Sequence, residues 1–133
     1  MSSKSVSVRL EFDDKTVLGA VKNGNNKALT RVGAYVRKAA RHAVSRSKTA
    51  SDPGMPPHTR RGLLKRSILF GVDRQRQAVV IGPAYQFIGV AMTAHEFGGK
   101  FRGRKYPKRP LMGPTLIKTA PQLSKLWADS VKA

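Results

Sequence analysis

Six cationic side chains lie within one ten-residue stretch, residues 100–109, and are the part of this chain best suited to bind a partner. They are Lys100, Arg102, Arg104, Lys105, Lys108 and Arg109. Phe101 and Tyr106 alternate with them, so the stretch could contact the phosphates of a nucleic acid while its rings stack on bases. The same charges would also suit an acidic protein surface, or form a solvated loop. The sequence leaves all three interpretations open.

Prolines stiffen the second half of this basic loop, which spans residues 99–113. Pro107, Pro110 and Pro114 fix φ and remove backbone donors, which argues against a regular helix or a central strand. Arg109 stands between two of them and is therefore expected to be the least mobile of the six cations. Its guanidinium suits bidentate pairing with a carboxylate or a phosphate. A segment of this kind is expected to be ordered only when something docks against it.

A second proline-rich loop is predicted at residues 48–62, which show no hydrophobic periodicity. A loop this long in a compact domain is usually functional or mobile. We therefore predict that both loops carry docking residues. In the loop 48–62 they are Pro53, Met55, Pro56, Pro57, His58, Arg60 and Arg61, and in the basic loop 99–113 they are Tyr106, Pro110 and Met112.

Catalytic, metal and nucleotide sites find little support. The chain has no cysteine, and its seven acidic residues are scattered, apart from the pair Asp13 and Asp14. The three histidines lack ligand-like spacing, and His95-Glu96 does not open a His-Glu-x-x-His motif because residue 99 is glycine. The expectation is a protein that is not an enzyme and needs no cofactor or metal.

Charge is the unusual feature of the composition. The 133 residues contain 26 Lys plus Arg against 7 Asp plus Glu, a formal net charge of +19. Such a chain repels copies of itself and attracts polyanions. Its length predicts one domain over residues 1–133. No apolar run is long enough to span a bilayer and no secretory signal is visible, so a soluble, non-exported protein without a membrane partner is expected.

Hydrophobic periodicity predicts a strand and then a long helix in the first half. Residues 6–12 alternate strictly, as in a half-buried strand. Residues 23–26, Asn-Gly-Asn-Asn, are predicted to interrupt regular secondary structure before the helix. From residue 27 to about residue 47 the period is helical, and the apolar stripe consists of Leu29, Val32, Val36, Ala39 or Ala40, and Ala43.

The second half predicts a hairpin and two helices. Residues 63–72 and 78–82 are predicted strands joined by a turn at 73–76, and the run 79–81 is predicted to be covered on both faces. A short helix within residues 85–97 should end at Gly98. A final helix starting near Pro114, with a kink at Pro121, should bury a stripe of Leu116, Ala120, Leu123, Trp127 and Val131. The predicted fold is α+β: a small, mostly antiparallel sheet packed by one long helix, with a short helix and a C-terminal helix.

Three groups of residues, in this order, resemble the head–tail joining or tail-completion family, the small neck proteins of lambda-like long-tailed bacteriophages. The first is Pro-Gly-Met-Pro-Pro-His-Thr at 53–59 followed by Gly-Leu-Leu-Lys-Arg-Ser-Ile at 62–68. The second is Val-Val-Ile-Gly-Pro at 79–83. The third is Glu-Phe-Gly-Gly at 96–99, followed by Arg-Pro-Leu-Met-Gly-Pro at 109–114 and a terminal helix.

The resemblance implies a structural protein of the virion neck, assembled in the host bacterial cytoplasm. Such proteins form a homo-oligomeric ring, here expected to have six or twelve copies, between the head adaptor or stopper and the tail tube. The ring completes the tail end, joins it to the head and surrounds a channel through which genomic DNA passes without sequence specificity. A tail terminator ring, or a free basic nucleic-acid-binding protein, remains the alternative function.

Overall fold

One long helix, α1, supports the rest of the fold. A computed structural model describes residues 14–84, 86 and 91–128. The helices are α1 (Asp14–Ala43), α2 (Leu63–Ser67), α3 (Ala91–Phe97) and α4 (Met112–Leu123), and the strands are β1 (Ile68–Asp73), β2 (Ala78–Pro83), β3 (Gly99–Phe101) and β4 (Arg104–Tyr106). A 3₁₀ turn at Ser124–Leu126 follows α4. The predicted α+β arrangement is confirmed, while the strand predicted at 6–12 lies outside the described residues.

Helix α1 begins at Asp14, so the break predicted at residues 23–26 is wrong. Tertiary hydrogen bonds hold two of these residues in the helix. Asn25 donates to Oε1 of Gln77 (2.6 Å) and accepts from Nε1 of Trp127 (2.8 Å), and Gln77 donates to Oδ1 of Asn26 (3.1 Å). The low helix propensity of asparagine comes from local competition for backbone hydrogen bonds, and that competition ends when its side chain has other partners.

The predicted buried stripe of α1 is largely confirmed. Leu29, Val32, Val36 and Ala40 are all buried, whereas Ala43 is exposed and Val44 is buried in its place. Strands β1 and β2 form an antiparallel pair that lies on this helix, in the register Ile68↔Pro83 to Asp73↔Ala78.

Helix α1 and the sheet lie close together at Gly33. A Cβ added there would overlap the ring of Phe70 on β1. Arg37, one turn further along, places its guanidinium 4.9 Å from the centre of the same ring. The glycine therefore lets α1 lie directly on the aromatic side chain, and the arginine covers the ring beside it.

Two details of the predicted hairpin are wrong. Residues 63–67 form α2 rather than the start of a strand, because Gly62 adopts a left-handed conformation (φ 79°) and the Ser67 hydroxyl donates to the Leu64 carbonyl (2.7 Å). The run 79–81 is also not covered on both faces in the described structure, since Val80 is 70% exposed. A two-stranded sheet packed on one helix has only one inner face, which takes every second side chain.

The stripe predicted for the terminal helix is wrong for its first two residues. Leu116 and Ala120 are exposed, and Thr115 and Thr119 are buried instead, whereas Leu123 and Trp127 are half-buried. Each hydroxyl donates to the carbonyl four residues earlier, Thr115 to Leu111 (2.7 Å) and Thr119 to Thr115 (2.8 Å). Because these donors are satisfied within the helix, the threonines can pack inward at little polar cost. Pro121 lies in the last turn of α4, and residue 131 is outside the described range.

A cluster of buried apolar side chains lies where α1 ends and α4 begins. Ala40, Val44, Leu64, Ile68 and Leu111 are buried against one another, with Met112 packed on their edge. Leu111 comes from the proline-rich run 107–114, so this core anchors one end of the predicted basic loop.

Candidate docking site

The proline loop, residues 48–62, is closed at its base by backbone hydrogen bonds. Ser47 N–H donates to the Thr59 carbonyl and Thr59 N–H donates to the Ser45 carbonyl, both at 3.0 Å. Arg46 and Thr59 form a parallel bridge at the same place. Segments whose ends meet in this way are compact Ω-type loops, which are ordered by their own packing.

The linker between β4 and α4, residues 107–111, docks against this loop. Gly54 N–H donates to the Lys108 carbonyl (2.7 Å), and Arg109 Nε donates to the Ser51 carbonyl (2.8 Å). Arg109 N–H also donates to the carbonyl of His95 at the end of α3 (2.6 Å). The two proline-rich segments thus order each other within a single chain. The expectation that something docks against such a segment is met for this linker by the proline loop of the same chain.

Glu96 holds the start of α4. Its carboxylate accepts the backbone N–H groups of Leu111 (2.8 Å), Met112 (3.1 Å) and Gly113 (2.7 Å). Leu111 is at the N-cap position and has no side-chain oxygen to do this. An anion at a helix N-terminus is favourable because free N–H groups and the helix dipole converge there. The sequence signal for this contact was the absence of a capping residue before an otherwise clear helix.

Residues 99–106 form a hairpin, where the sequence predicted an irregular loop. Strands β3 and β4 pair antiparallel, and both residues of the connecting turn have positive φ, Arg102 at 50° and Gly103 at 76°. Positive φ at both positions is the requirement of the tight turns that suit the twist of a hairpin. Three residues per strand are enough for this basic hairpin, and the prolines that exclude strand structure begin only after it.

The basic hairpin places like charges opposite each other. Lys100 pairs directly with Lys105 across the two strands, and both side chains are exposed. Directly opposite like charges destabilise a strand pair. Arg102 and Arg104 are also exposed, so the eight residues of the hairpin present four cations. This surface favours an anionic partner, which would relieve the repulsion.

The structure divides the predicted site residues into an outward and an inward set. The outward set is exposed: Lys100, Arg102, Arg104, Lys105, Lys108, Pro53, Met55, Arg60 and Arg61. The inward set is buried or half-buried: Arg109, Pro56, Pro57, His58, Tyr106, Pro110 and Met112. The inward residues form the base of the site, which we call the platform, and the outward residues project from it. The six cations therefore do not act as one group.

A cavity of about 290 Å³ lies where the proline loop, α3 and the linker meet. Ser51, His58, Arg60, His95 and Arg109 line it, together with apolar groups of Ala50, Pro57 and Leu64. Burial, and secondarily the positive charge of Arg109, lower the pKa of His95 below its ordinary 6.5. Sequence analysis predicted His58, Arg60 and Arg109 as site residues but missed Ser51 and His95, since neither belongs to a charge cluster or a motif of its own.

Comparison of the chain with protein-family models, with curated proteins and with solved structures found no match. None of the helices in the described part of the chain is both long and apolar enough to cross a bilayer. Among residues 14–84, 86 and 91–128, no three histidine or acidic side chains come together as metal ligands.

Proposed function

We propose that the protein is a structural subunit of a bacteriophage neck, in which copies form a ring that completes the tail and joins it to the head. The motifs at 53–59, 62–68, 79–83, 96–99 and 109–114 support this proposal through their resemblance to head–tail joining proteins. The ring would hold six or twelve copies in the virion, contact the head adaptor or stopper and the tail tube, and let genomic DNA pass through its channel. A tail terminator ring is the nearest variant of the same role.

One observation carries the proposal: the basic hairpin stands on a platform that the chain braces internally. The linker is fixed by Gly54 and Ser51 of the proline loop, and Glu96 fixes the helix that follows. A cationic projection with a rigid base, bearing Lys100 opposite Lys105, suits docking to an acidic surface of an adjacent ring.

Exposed apolar side chains favour contacts between copies. Leu116 and Ile117 of α4 are 52% and 78% exposed, and Val80 and Leu69 lie on the outer face of the sheet. In a ring these faces would meet different faces of the neighbouring copy, as heterologous interfaces do, and the rotation would close. Such interfaces would also oppose the repulsion between subunits of charge +19.

The second candidate is a free nucleic-acid-binding protein, since the four exposed cations of the hairpin could also bind phosphates. It predicts tight binding of duplex DNA by the monomer, with an affinity that falls steeply as salt increases. The neck role predicts weak DNA binding and rings visible by negative-stain electron microscopy. Rings with weak binding would therefore exclude the free binder, and tight binding by a monomer absent from virions would exclude the neck role.

The contribution of the hairpin can be tested by charge neutralisation. Replacing Lys100, Arg102, Arg104 and Lys105 with glutamine should abolish joining of heads to tails in extracts that lack the native protein, scored as tailed particles. The matched control replaces four exposed helical lysines, Lys22, Lys27, Lys38 and Lys118, and removes the same net charge. Full joining by the hairpin variant would contradict the docking role, and loss in both variants would assign the effect to net charge alone.

A further inference from the structure

The cavity beneath the proline loop combines cationic and hydroxyl groups without an acidic residue. Arg60 and Arg109 line it with Ser51 and His58, and none of its lining residues is Asp or Glu. Two carboxylates are adjacent along the chain to lining residues. Asp52, next to Ser51, is exposed, and Glu96, next to His95, is occupied by three backbone N–H groups of α4. The positive charge of the cavity is therefore not neutralised by its own lining.

Two buried polar groups at the cavity lack partners. Ser51 is 5% exposed, and its hydroxyl forms no hydrogen bond. Nδ1 of His95 is also buried and unpaired. An unmade hydrogen bond at a buried donor is costly, and native structures contain few of them, so each requires an explanation. Both residues line the cationic cavity, and a ligand that supplies the acceptor would explain both groups.

Arg109 is held in a fixed orientation at this cavity. Its Nε donates to the Ser51 carbonyl at 2.8 Å, and its backbone N–H donates to the His95 carbonyl at 2.6 Å. These bonds restrain the plane of the guanidinium while its two terminal nitrogens have no hydrogen bond within the described structure. A planar fork restrained in this way matches the geometry of a carboxylate.

We propose that this cavity binds the side-chain carboxylate of a glutamate or aspartate presented by another protein. About 290 Å³ accommodates one side chain, whereas a phosphate of a nucleic acid arrives with bulky sugars on both sides. Ala50, Pro57 and Leu64 supply apolar wall that suits the methylene stem of an acidic side chain. The assignment rests on the cavity alone and holds whether or not the protein belongs to a phage neck.

The test is an NMR titration of the full chain with N-acetyl-glutamic acid amide, which carries one side-chain carboxylate. Saturable shifts are expected at residues 47–51 and at His95 and Arg109. The matched probe, N-acetyl-glutamine amide, should produce none. Ser51→Ala, which keeps the backbone carbonyl that Arg109 uses, should weaken binding by about tenfold, since a hydrogen bond to a charged group is lost.

Two further variants separate the cavity from the general charge of the surface. Arg60→Gln should weaken binding to a similar degree, whereas Arg66→Gln, at an exposed position outside the cavity lining, should leave it unchanged. Equal binding of both probes, no saturation, or an unaltered affinity in Ser51→Ala would overturn the proposal. Stronger saturable shifts at the same residues with a single-stranded oligonucleotide would overturn the proposal, and would indicate that the cavity binds a nucleic-acid phosphate rather than a protein carboxylate.

Discussion

The carboxylate of Glu96 lies 2.8 Å from the backbone nitrogen of Leu111, the N-cap residue of α4, fifteen positions later in the chain. This contact joins α3 to α4 and fixes the linker that carries Arg109 between them. It also explains how a helix can begin at Met112 although its N-cap residue has no capping side chain of its own. The start of α4 therefore depends on a tertiary contact.

Removal of this cap should destabilise the fold. Glu96→Ala is expected to lower the free energy of unfolding by about 2 kcal/mol, because three N–H groups lose an anionic acceptor at a helix N-terminus. Glu96→Gln should cost less, since an amide oxygen can replace part of the interaction. Urea denaturation measures both, with the exposed Asp52→Ala as the control. Equal stability of Glu96→Ala and the wild type would contradict the capping role.

Substitution of Gly33 tests the contact between α1 and the sheet. Gly33→Ala should destabilise by roughly 1–3 kcal/mol, because its Cβ would overlap the Phe70 ring and force a shift. Gly19→Ala is the matched control, since no atom lies within 4 Å of the added Cβ in the same helix. That variant should gain roughly 0.5–1 kcal/mol from helix propensity. The two changes in melting temperature should have opposite signs, and a common sign would disprove the steric account.

Reversal of one charge in the basic hairpin should separate stability from binding. Lys105→Glu replaces a like-charge pair with Lys100 by an opposite-charge pair and should stabilise the fold by about 0.2–1 kcal/mol. The same change should impair head–tail joining. Lys125→Glu alters the net charge equally at an exposed site outside the hairpin, and it should neither stabilise as much nor impair joining. A Lys105→Glu variant that joined normally would show that the hairpin does not contact an anionic partner.

Stability should fall as the pH is lowered through the range in which histidine titrates. The pKa of His95 is lowered by burial and by Arg109, so the unfolded chain takes up a proton near pH 6.5 while the native protein remains neutral. The unfolded state then binds more protons, and the free energy of unfolding decreases with falling pH until His95 also titrates in the native state. Urea midpoints from pH 7.5 to pH 5 measure this effect. His95→Gln should flatten the slope, and parallel slopes in the variant and the wild type would refute the assignment.

Local patterns in the sequence were sufficient for some elements. Neighbouring residues were enough to predict three of them, and the structure confirms each: most of the buried stripe of α1, the β1–β2 pair and the end of α3 before Gly98. Residues 23–26 show where such patterns fail, because the hydrogen bonds that keep Asn25 in the helix come from Gln77 and Trp127, 52 and 102 positions away. No local propensity contains that information.

The candidate site shows the same division. The positive charges of residues 100–109 and the two proline-rich segments were evident from composition, and so was the suitability of Arg109 for bidentate pairing. Only the docking of the linker on the proline loop decides that Arg109 turns inward to Ser51, while Lys100 and Lys105 remain exposed.

The sequence by itself determined two features. One is the set of elements whose hydrophobic periodicity is visible in neighbouring residues, and the other is the positive charge that a partner would complement. The tertiary structure decided which cations are buried in contacts within the chain and which are exposed, where α4 begins, and that Ser51 and His95 line one cavity. The physical reason is that periodicity and charge are sums over neighbouring residues. Caps, cavities and unpaired polar groups instead depend on atoms brought together from distant parts of the chain.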